Sequence, residues 1–419
     1  MIIFIFKTVF AQIPNWQQVS QAGGNDWDVG YSLTTDNSGN TYVTGVFEGT
    51  ATFGSYYLTS YGLQDIFVAK IDTNGNWIWS NQANGLGWNS ATGIVTDNDE
   101  NVYVTGHFLE TTTFGEYSLT SNGGSDIFVA KLNSDGNWIW ATKAGGVCLD
   151  RSYGISLDSE ENIYIAGHFE EESSFGQHSL TSNGADDVFI AKLNTSGNWM
   201  WARNAGGIDD DRGFDLIMDN DGNNYITGYF QETATFGSQS ITSNGSIDIF
   251  LAKISSDGNW IGVTQAGGSN EDSGYGVTMN DTGSIYLTGM FSDIANFGTL
   301  SLTSNGESDI FVAKLNSNNS IEDCTIIAQY DLSNYPNPFN PTTTISFSIP
   351  KESKIDLSVF NIKGHKIKSL LKESIEAGIH SVIWNGVDES GKPVSSGVYF
   401  YKLSVNGKSK AVKKCLLLK

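Results

Sequence analysis

One polar position returns in every copy of a long internal repeat. Asp28, Asn89, Asp150, Asp211 and Asp272 lie 61 residues apart, and Arg151 and Arg212 directly follow two of them. Asp209 and Asp210 precede Asp211, and Glu271 precedes Asp272. If the loops that carry these residues cluster at one end of a symmetric fold, the side chains ring its axial opening. Several hard oxygen ligands in one place are what calcium takes, and the same ring suits a cationic or hydroxylated ligand. An Asp in a loop also hydrogen-bonds its own backbone, and recurrence in every copy fits that role. Glycoside cleavage asks for two carboxylates in different environments, whereas equivalent acids in equivalent repeats share one setting. The ligand-binding set is therefore Asp28, Asn89, Asp150, Asp211, Asp272, Arg151 and Arg212. No residue is assigned a catalytic role, no metal site is assigned, and calcium is the one cofactor the acids could hold.

Other motifs resolve into turns and ties. Asp219-Asn-Asp-Gly-Asn223 has the look of a calcium loop but lacks the bidentate Glu at the twelfth position, so turn chemistry is expected. Asp65, Asp126, Asp187, Asp248 and Asp309 recur, as do Lys70, Lys131, Lys192, Lys253 and Lys314. An Asp and a Lys five apart on a strand face opposite ways, so loop capping and ties between repeats are expected of them. His107 and His168 share a repeat position without a carboxylate motif to complete a metal site. Cys148, Cys324 and Cys415 are too few and too far apart for a disulfide framework. Nucleophile-elbow and phosphate-loop signatures are absent.

The elements that carry these residues follow from the repeat. Trp16, Trp77, Trp138, Trp199 and Trp260 are spaced by 61, as are Tyr42 to Tyr286 and Phe53 to Phe297. In one copy, Gly154–Asp158 and Ile163–Phe169 read as strands joined by a turn. A loop over 175–184 with its own small hairpin precedes a third strand, Val188–Leu193, and a Gly-containing turn leads to a fourth, Trp199–Ala202. Four short antiparallel strands make a propeller blade. Runs such as Ile127-Phe-Val-Ala, apolar at successive positions, fit burial on both faces. The chain starts on a fourth-strand pattern, Trp16–Gly24, and its last copy stops after a third strand, Asp309–Leu315. The expected fold is all-β: a five-bladed β-propeller over 12–320, its last blade completed by the N-terminal strand, which leaves no free edge.

The Gly-Gly, Gly-x-(Ser/Thr)-x-Asp and Gly-Asn-x-Tyr-x-Thr-Gly elements, which the five copies over 16–316 follow with substitutions, resemble the SBBP β-propeller repeat of bacterial secreted proteins. That family has no common enzymatic activity, so the resemblance implies a surface-displayed scaffold. Residues 321–334 read as a linker. Beyond them, alternating strands separated by turns at Ile362–Gly364, Gly386–Asp388 and Asn406-Gly407 argue a small immunoglobulin-like β-sandwich. Residues 335–419 closely resemble the C-terminal sorting domain of type IX secretion. The resemblance is carried by Tyr335, Pro336, Asn337, Pro338, Phe339, Asn340 and Pro341, then by Gly378, Trp384, Gly397, Tyr399 and Tyr401. It implies the type IX secretion machinery as partner, export through the outer membrane, and release or attachment at the cell surface of a Gram-negative bacterium.

Composition agrees with two unlike parts. Of 419 residues, 46 are acidic and 23 basic, a net charge of −23. Residues 330–419 hold 13 Lys against 7 acids, and the rest holds 10 basic residues against 39 acidic ones. Such an acidic chain excludes nucleic acid as a partner. Residues 1–11 are apolar and read as a signal-peptide remnant; no later run is long enough for a membrane helix. The function expected is a non-enzymatic binding scaffold for a glycan or a surface protein. A glycan hydrolase using axial acids and a purely structural surface component are the alternatives.

Overall fold

Strands with no polar side can be stable only between two other layers, and the 61-residue repeat supplies those layers. The computed structural model describes residues 17–315, 332–349, 353–375 and 378–418. The chain divides into two compact units, Met1–Asn318 and Asn319–Lys419. All regular elements among the described residues are strands or bridges. The proposed signal remnant, Trp16, Cys324 and most of the linker lie outside them.

In the first unit each blade is an antiparallel meander. Blade 3 runs Arg151–Leu157, Ile163–Phe175, His178–Leu193 and Trp199–Ala205. The expected small hairpin is present: in blade 2 it is Thr111–Phe114 paired with Tyr117–Thr120, and in blade 3 the long second and third strands include it. The end of each fourth strand then pairs with the hairpin of the next blade, Gly85 with Thr112 and Gly145 with Ser174. The glycine of the Tyr-x-Thr-Gly element is explained by the first strand. A Cβ on Gly167 would lie 1.9 Å from the carbonyl oxygen of Arg151.

Burial between blades does the rest. Ile127, Phe128, Val129 and Ala130 are wholly buried, on both faces of their strand. Phe114 packs on Phe128 and edge-on against Trp138, at 4.8 and 5.2 Å between ring centroids. Trp138 Nε1 donates back to the Gln82 carbonyl at 3.2 Å, while Trp140 Nε1 donates forward to the Thr195 carbonyl at 3.2 Å. The two tryptophans of one strand thus tie its blade to both neighbours.

The recurrent Asp and Lys are also placed. Asp187 accepts the Asn183 N–H at 3.1 Å and Asp248 the Asn244 N–H at 3.0 Å, so each caps the loop before its strand. The ties between blades expected of the lysines are not made throughout. Lys192 meets Asp158 and Lys253 meets Asp219, both at 3.0 Å and within one blade, while Lys70 also reaches Glu100 of the next blade at 3.0 Å. Asp219 accepts the N–H groups of Asp221 and Asn223 at 3.0 and 2.8 Å, the turn chemistry expected of that loop.

Among the described residues the expected closure is not made. Blade 5 has three strands, Ser273–Met279, Ile285–Phe291 and Asp309–Leu315. Of the N-terminal segment, Ala22 and Gly23 pair with Phe53 and Thr52 of blade 1, the use the fourth strands make of their ends elsewhere. Asp309–Leu315 therefore keeps an open edge among the described residues. Ile310 and Val312 are 82% and 74% exposed, where their repeat equivalents Ile127 and Val129 are fully buried. At the other end Leu33 is 67% exposed, against 5% for Ile94.

The second unit has two antiparallel sheets around one core. One orders Leu332–Tyr335, Thr343–Ile349 and Gly378–Trp384. The other orders Lys366–Ile375, Ser353–Asn361, Gly397–Val405 and Lys408–Leu417. Between them lie Phe339, Phe347, Leu357, Trp384, Tyr401 and Leu403.

The contrast between equivalent positions is testable. Ile127→Ala should cost the first unit about 2–5 kcal/mol in urea denaturation. Ile310→Ala should change the unfolding free energy by less than about 0.5 kcal/mol.

Candidate functional site

The recurrent acids do not ring an opening. Asn89, Asp150, Asp211 and Asp272 are fully buried, and Asp28 is partly so. Each carboxylate among them accepts from the glycine-rich end of the preceding fourth strand. Asp150 accepts the Gly146 N–H at 2.7 Å and the Ser173 hydroxyl. Asp211 accepts Gly207 at 2.6 Å and Gln231 at 3.1 Å, Asp272 accepts Gly268 at 2.7 Å and Ser292 at 3.1 Å, and Asp28 accepts Gly24 at 2.6 Å. Asn89 holds its own crossover by donating to the Gln64 carbonyl at 3.1 Å. A neutral amide in the same position identifies the role as a loop staple. Among the described residues, no group of three or more His, Cys, Asp or Glu is placed to hold a metal.

What lines the axis is a different set. A cavity of about 960 Å³ is bordered by the first strands of all five blades. Each of these strands carries a β-bulge, at Tyr31, Thr92, Tyr153, Phe214 and Tyr275. A bulged residue has no partner opposite it and its side chain is re-aimed. All five border the cavity. Tyr153, Phe214 and Tyr275 form a row with successive centroids 5.4 Å apart, and Tyr153 stacks on His168 at 5.6 Å. Trp27 and Trp88, about half exposed, belong to the same lining. Sequence reading placed the first strand of blade 3 from Gly154, three residues late, and so left these aromatics unassigned. Their recurrence every 61 residues was the available signal.

Arg151 and His107 also border the cavity. Burial pushes the His107 imidazole down to about 3, and nearby Arg151 adds to the shift. His168 is likewise held well below its ordinary value, by burial first and then by Arg212. Both rings are therefore neutral near pH 7. Arg212 does not border the cavity; it lies against Asp186, 2.6 Å away. Asp215 is the one acid of the lining, and its oxygens accept the Leu216 and Val277 N–H groups at 2.9 Å each. A second cavity, of about 900 Å³, is lined by Asp209, Glu232 and Trp260 among others.

In the second unit the motif residues are structural. Phe339 is buried against Trp384, 5.4 Å between ring centroids, and its N–H donates to the Leu416 carbonyl at 3.0 Å. Asn337 accepts the Leu416 N–H at 2.9 Å, so the proline-rich opening is laced to the last strand. Pro336, Pro338, Asn340 and Pro341 are exposed, and Tyr335 pairs with Thr344. Gly378 pairs with Ile349, and Gly397 opens its strand opposite Leu417. Trp384 Nε1 donates to Val387, Tyr399 to the Ser395 carbonyl and Tyr401 to Asn334, at 3.0, 2.7 and 3.0 Å.

Residues 333–417 match the family described as the secretion system C-terminal sorting domain. The C-terminal unit is a type IX sorting domain. It marks a secreted or cell-surface bacterial protein. The chain is also 23% identical, over 259 aligned positions, to an uncharacterized WD repeat-containing protein, L264, of Acanthamoeba polyphaga mimivirus. That match covers 50% of this chain and 18% of the relative, so the chain spans under a fifth of its length. Among solved structures it is similar to PorZ, a surface component of the type IX secretion system of Porphyromonas gingivalis, at 13% identity and a TM-score of 0.28. This covers 93% of the chain and 45% of PorZ. Similarity to the GH43 protein BlXynB of Bacillus licheniformis is at 11% identity and a TM-score of 0.28, covering 92% and 76%. The first unit is a β-propeller array of five repeats.

The staples titrate in an informative direction. Burial raises Asp150 and Asp211 to about 7 and Asp272 to about 6. A folded-state value above the unfolded value of about 3.9 gives stability that is full at low pH and lost as pH rises toward the folded value. Relative to Asp211→Asn, which does not titrate, the wild type should therefore lose stability steadily from pH 4 to pH 7. Urea midpoints for both proteins across that range would check the slope, and parallel curves would refute it.

Proposed function

We propose that this protein is a non-enzymatic binding scaffold displayed at the surface of a Gram-negative bacterium. Its sorting domain takes it through the outer membrane, and the axial face of the propeller array is the binding surface. The observation that carries this reading is the bulge at every first strand, which aims an aromatic ring at one cavity from four of five blades. The cavity volume lies within the range of small-ligand sites. Its lining offers one acid, Asp215, where hydrolysis of a glycoside asks for a pair. The sorting domain supports the type IX machinery as the export partner.

One observation favours the hydrolase alternative: Asp209 and Glu232 line the same outer cavity. Release of reducing ends from a polysaccharide, abolished by Glu232→Gln, would establish that reading against this one. The binding reading expects glycans or surface extracts to be retained by the immobilised chain without turnover, with Phe214→Ala lowering retention. Deleting 335–419 should leave the propeller in the periplasm, read by surface proteolysis and cell fractionation; undiminished surface display would refute the export route.

A further inference from the structure

We infer that the axial cavity takes a carboxylate-bearing sugar, its carboxylate resting against Arg151 where the next blade uses an aspartate of its own. This deepens the binding reading above and rests on it.

The inference comes from two arginines at one repeat position. Arg212 donates from Nε to Asp186 at 2.7 Å, its Nη2 lies 2.6 Å from the same oxygen, and Asp210 adds a second carboxylate at 3.8 Å. His168 Nε2 lies 3.9 Å from Asp186 on another side. One repeat earlier the arginine is kept as Arg151 and the histidine as His107, but both carboxylates are gone. Ser125 stands where Asp186 would be, and Leu149 where Asp210 would be. Among the described residues Arg151 accordingly has no ion pair, and its Nε is buried without a hydrogen-bond partner. The same holds for Ser125 Oγ, while His107 Nδ1 is unpartnered just as its equivalent His168 Nδ1 is in the next blade. Unpaired buried donors are costly and uncommon in folded proteins. The unpaired Arg151 and Ser125, whose equivalents in the next blade are an arginine and the aspartate it pairs with, mark the place of a missing acceptor, whose form that blade displays as a carboxylate.

The rest of the molecule narrows the ligand. The array around the site is strongly acidic, so a ligand with many negative charges is repelled and one with a single carboxylate is not. Asp215, the one acid of the lining, is already engaged by two backbone N–H groups. Beside Arg151 the row Tyr153, Phe214 and Tyr275 presents aromatic surface, against which the C–H faces of pyranose rings stack. Ser32, Ser90 and Thr92 border the same cavity with hydroxyl groups.

The test compares 4-nitrophenyl β-D-glucuronide with 4-nitrophenyl β-D-glucoside, which differ in a carboxylate replacing a hydroxymethyl group, by equilibrium dialysis against the full chain. The glucuronide should bind about ten- to a hundredfold more tightly at low salt, the range for a charge-assisted hydrogen bond. Arg151→Gln removes the guanidinium, and Ser125→Asp supplies the missing carboxylate from within, at a position whose equivalent already holds Asp186. Each should bring the ratio of the two affinities close to one. Tyr275→Ala, which removes a half-exposed ring, should weaken both glycosides alike and leave the ratio. Equal binding of the two glycosides by the wild type, sensitive to Tyr275→Ala, overturns the Arg151 assignment while the binding reading stands. A preference that survives Ser125→Asp or Arg151→Gln overturns it too, as does binding of neither glycoside.

Discussion

No blade of this protein can exist alone, because its third strand has two apolar faces and no solvent side. Ile127-Phe-Val-Ala130 is wholly buried only because blades 1 and 3 stand on either side of blade 2. The tryptophan pair of blade 2's fourth strand states the same dependence in hydrogen bonds, one indole donating to the blade before and the other to the blade after. Stability in such an array is a sum over interfaces more than over repeats. The ends show what an absent interface does, since Ile310 and Leu33 keep the residue types of the interior and are exposed.

That constraint also fixes where function can sit. The flat faces of the blades are spent on one another, which leaves loops, outer hairpins and the first-strand edges that face the axis. The edges are crowded: a Cβ on Gly154 would lie 2.8 Å from the Leu216 nitrogen of the next blade. A regular strand there would alternate its side chains between two packed neighbours. The bulge breaks the alternation once per blade and turns Tyr31, Tyr153, Phe214 or Tyr275 toward the cavity. The aromatic lining is thus a product of the packing rule and its one systematic exception.

Much of this was legible in the residues. The spacing of 61 placed the blades, turns and hairpins, and the alternation after Thr343 placed the sandwich strands, because both patterns are local and repeat. What escaped depends on burial and register, which a pattern of residue types does not carry. Recurrence already favours a backbone role for Asp150 and Asp211, but it does not carry their full burial or their particular partners, the N–H groups of Gly146 and Gly207 at 2.7 and 2.6 Å. Asn89 was the available clue, since an amide serves a staple as well as a carboxylate does but serves a cation less well. Closure by the N-terminal strand rested on the fit of Trp16–Gly24 to a pattern. Ala22 and Gly23 satisfy only the half of that pattern that pairs with the following blade.

Near-exact repetition makes departures from symmetry informative. A substitution shared by all copies is explained by the fold, since every blade has the same packing to satisfy. A substitution in one copy that leaves buried groups unpaired is not explained in that way, because the neighbouring copy shows the satisfied arrangement at no cost to the backbone. Arg212 with Asp186 and Arg151 with Ser125 are such a pair. The blade 2–3 interface lacks both carboxylates that face the arginine at blade 3–4, and the strand geometry around both is equivalent. Packing therefore does not account for the loss of the acid at position 125, and a ligand that brings its own carboxylate does.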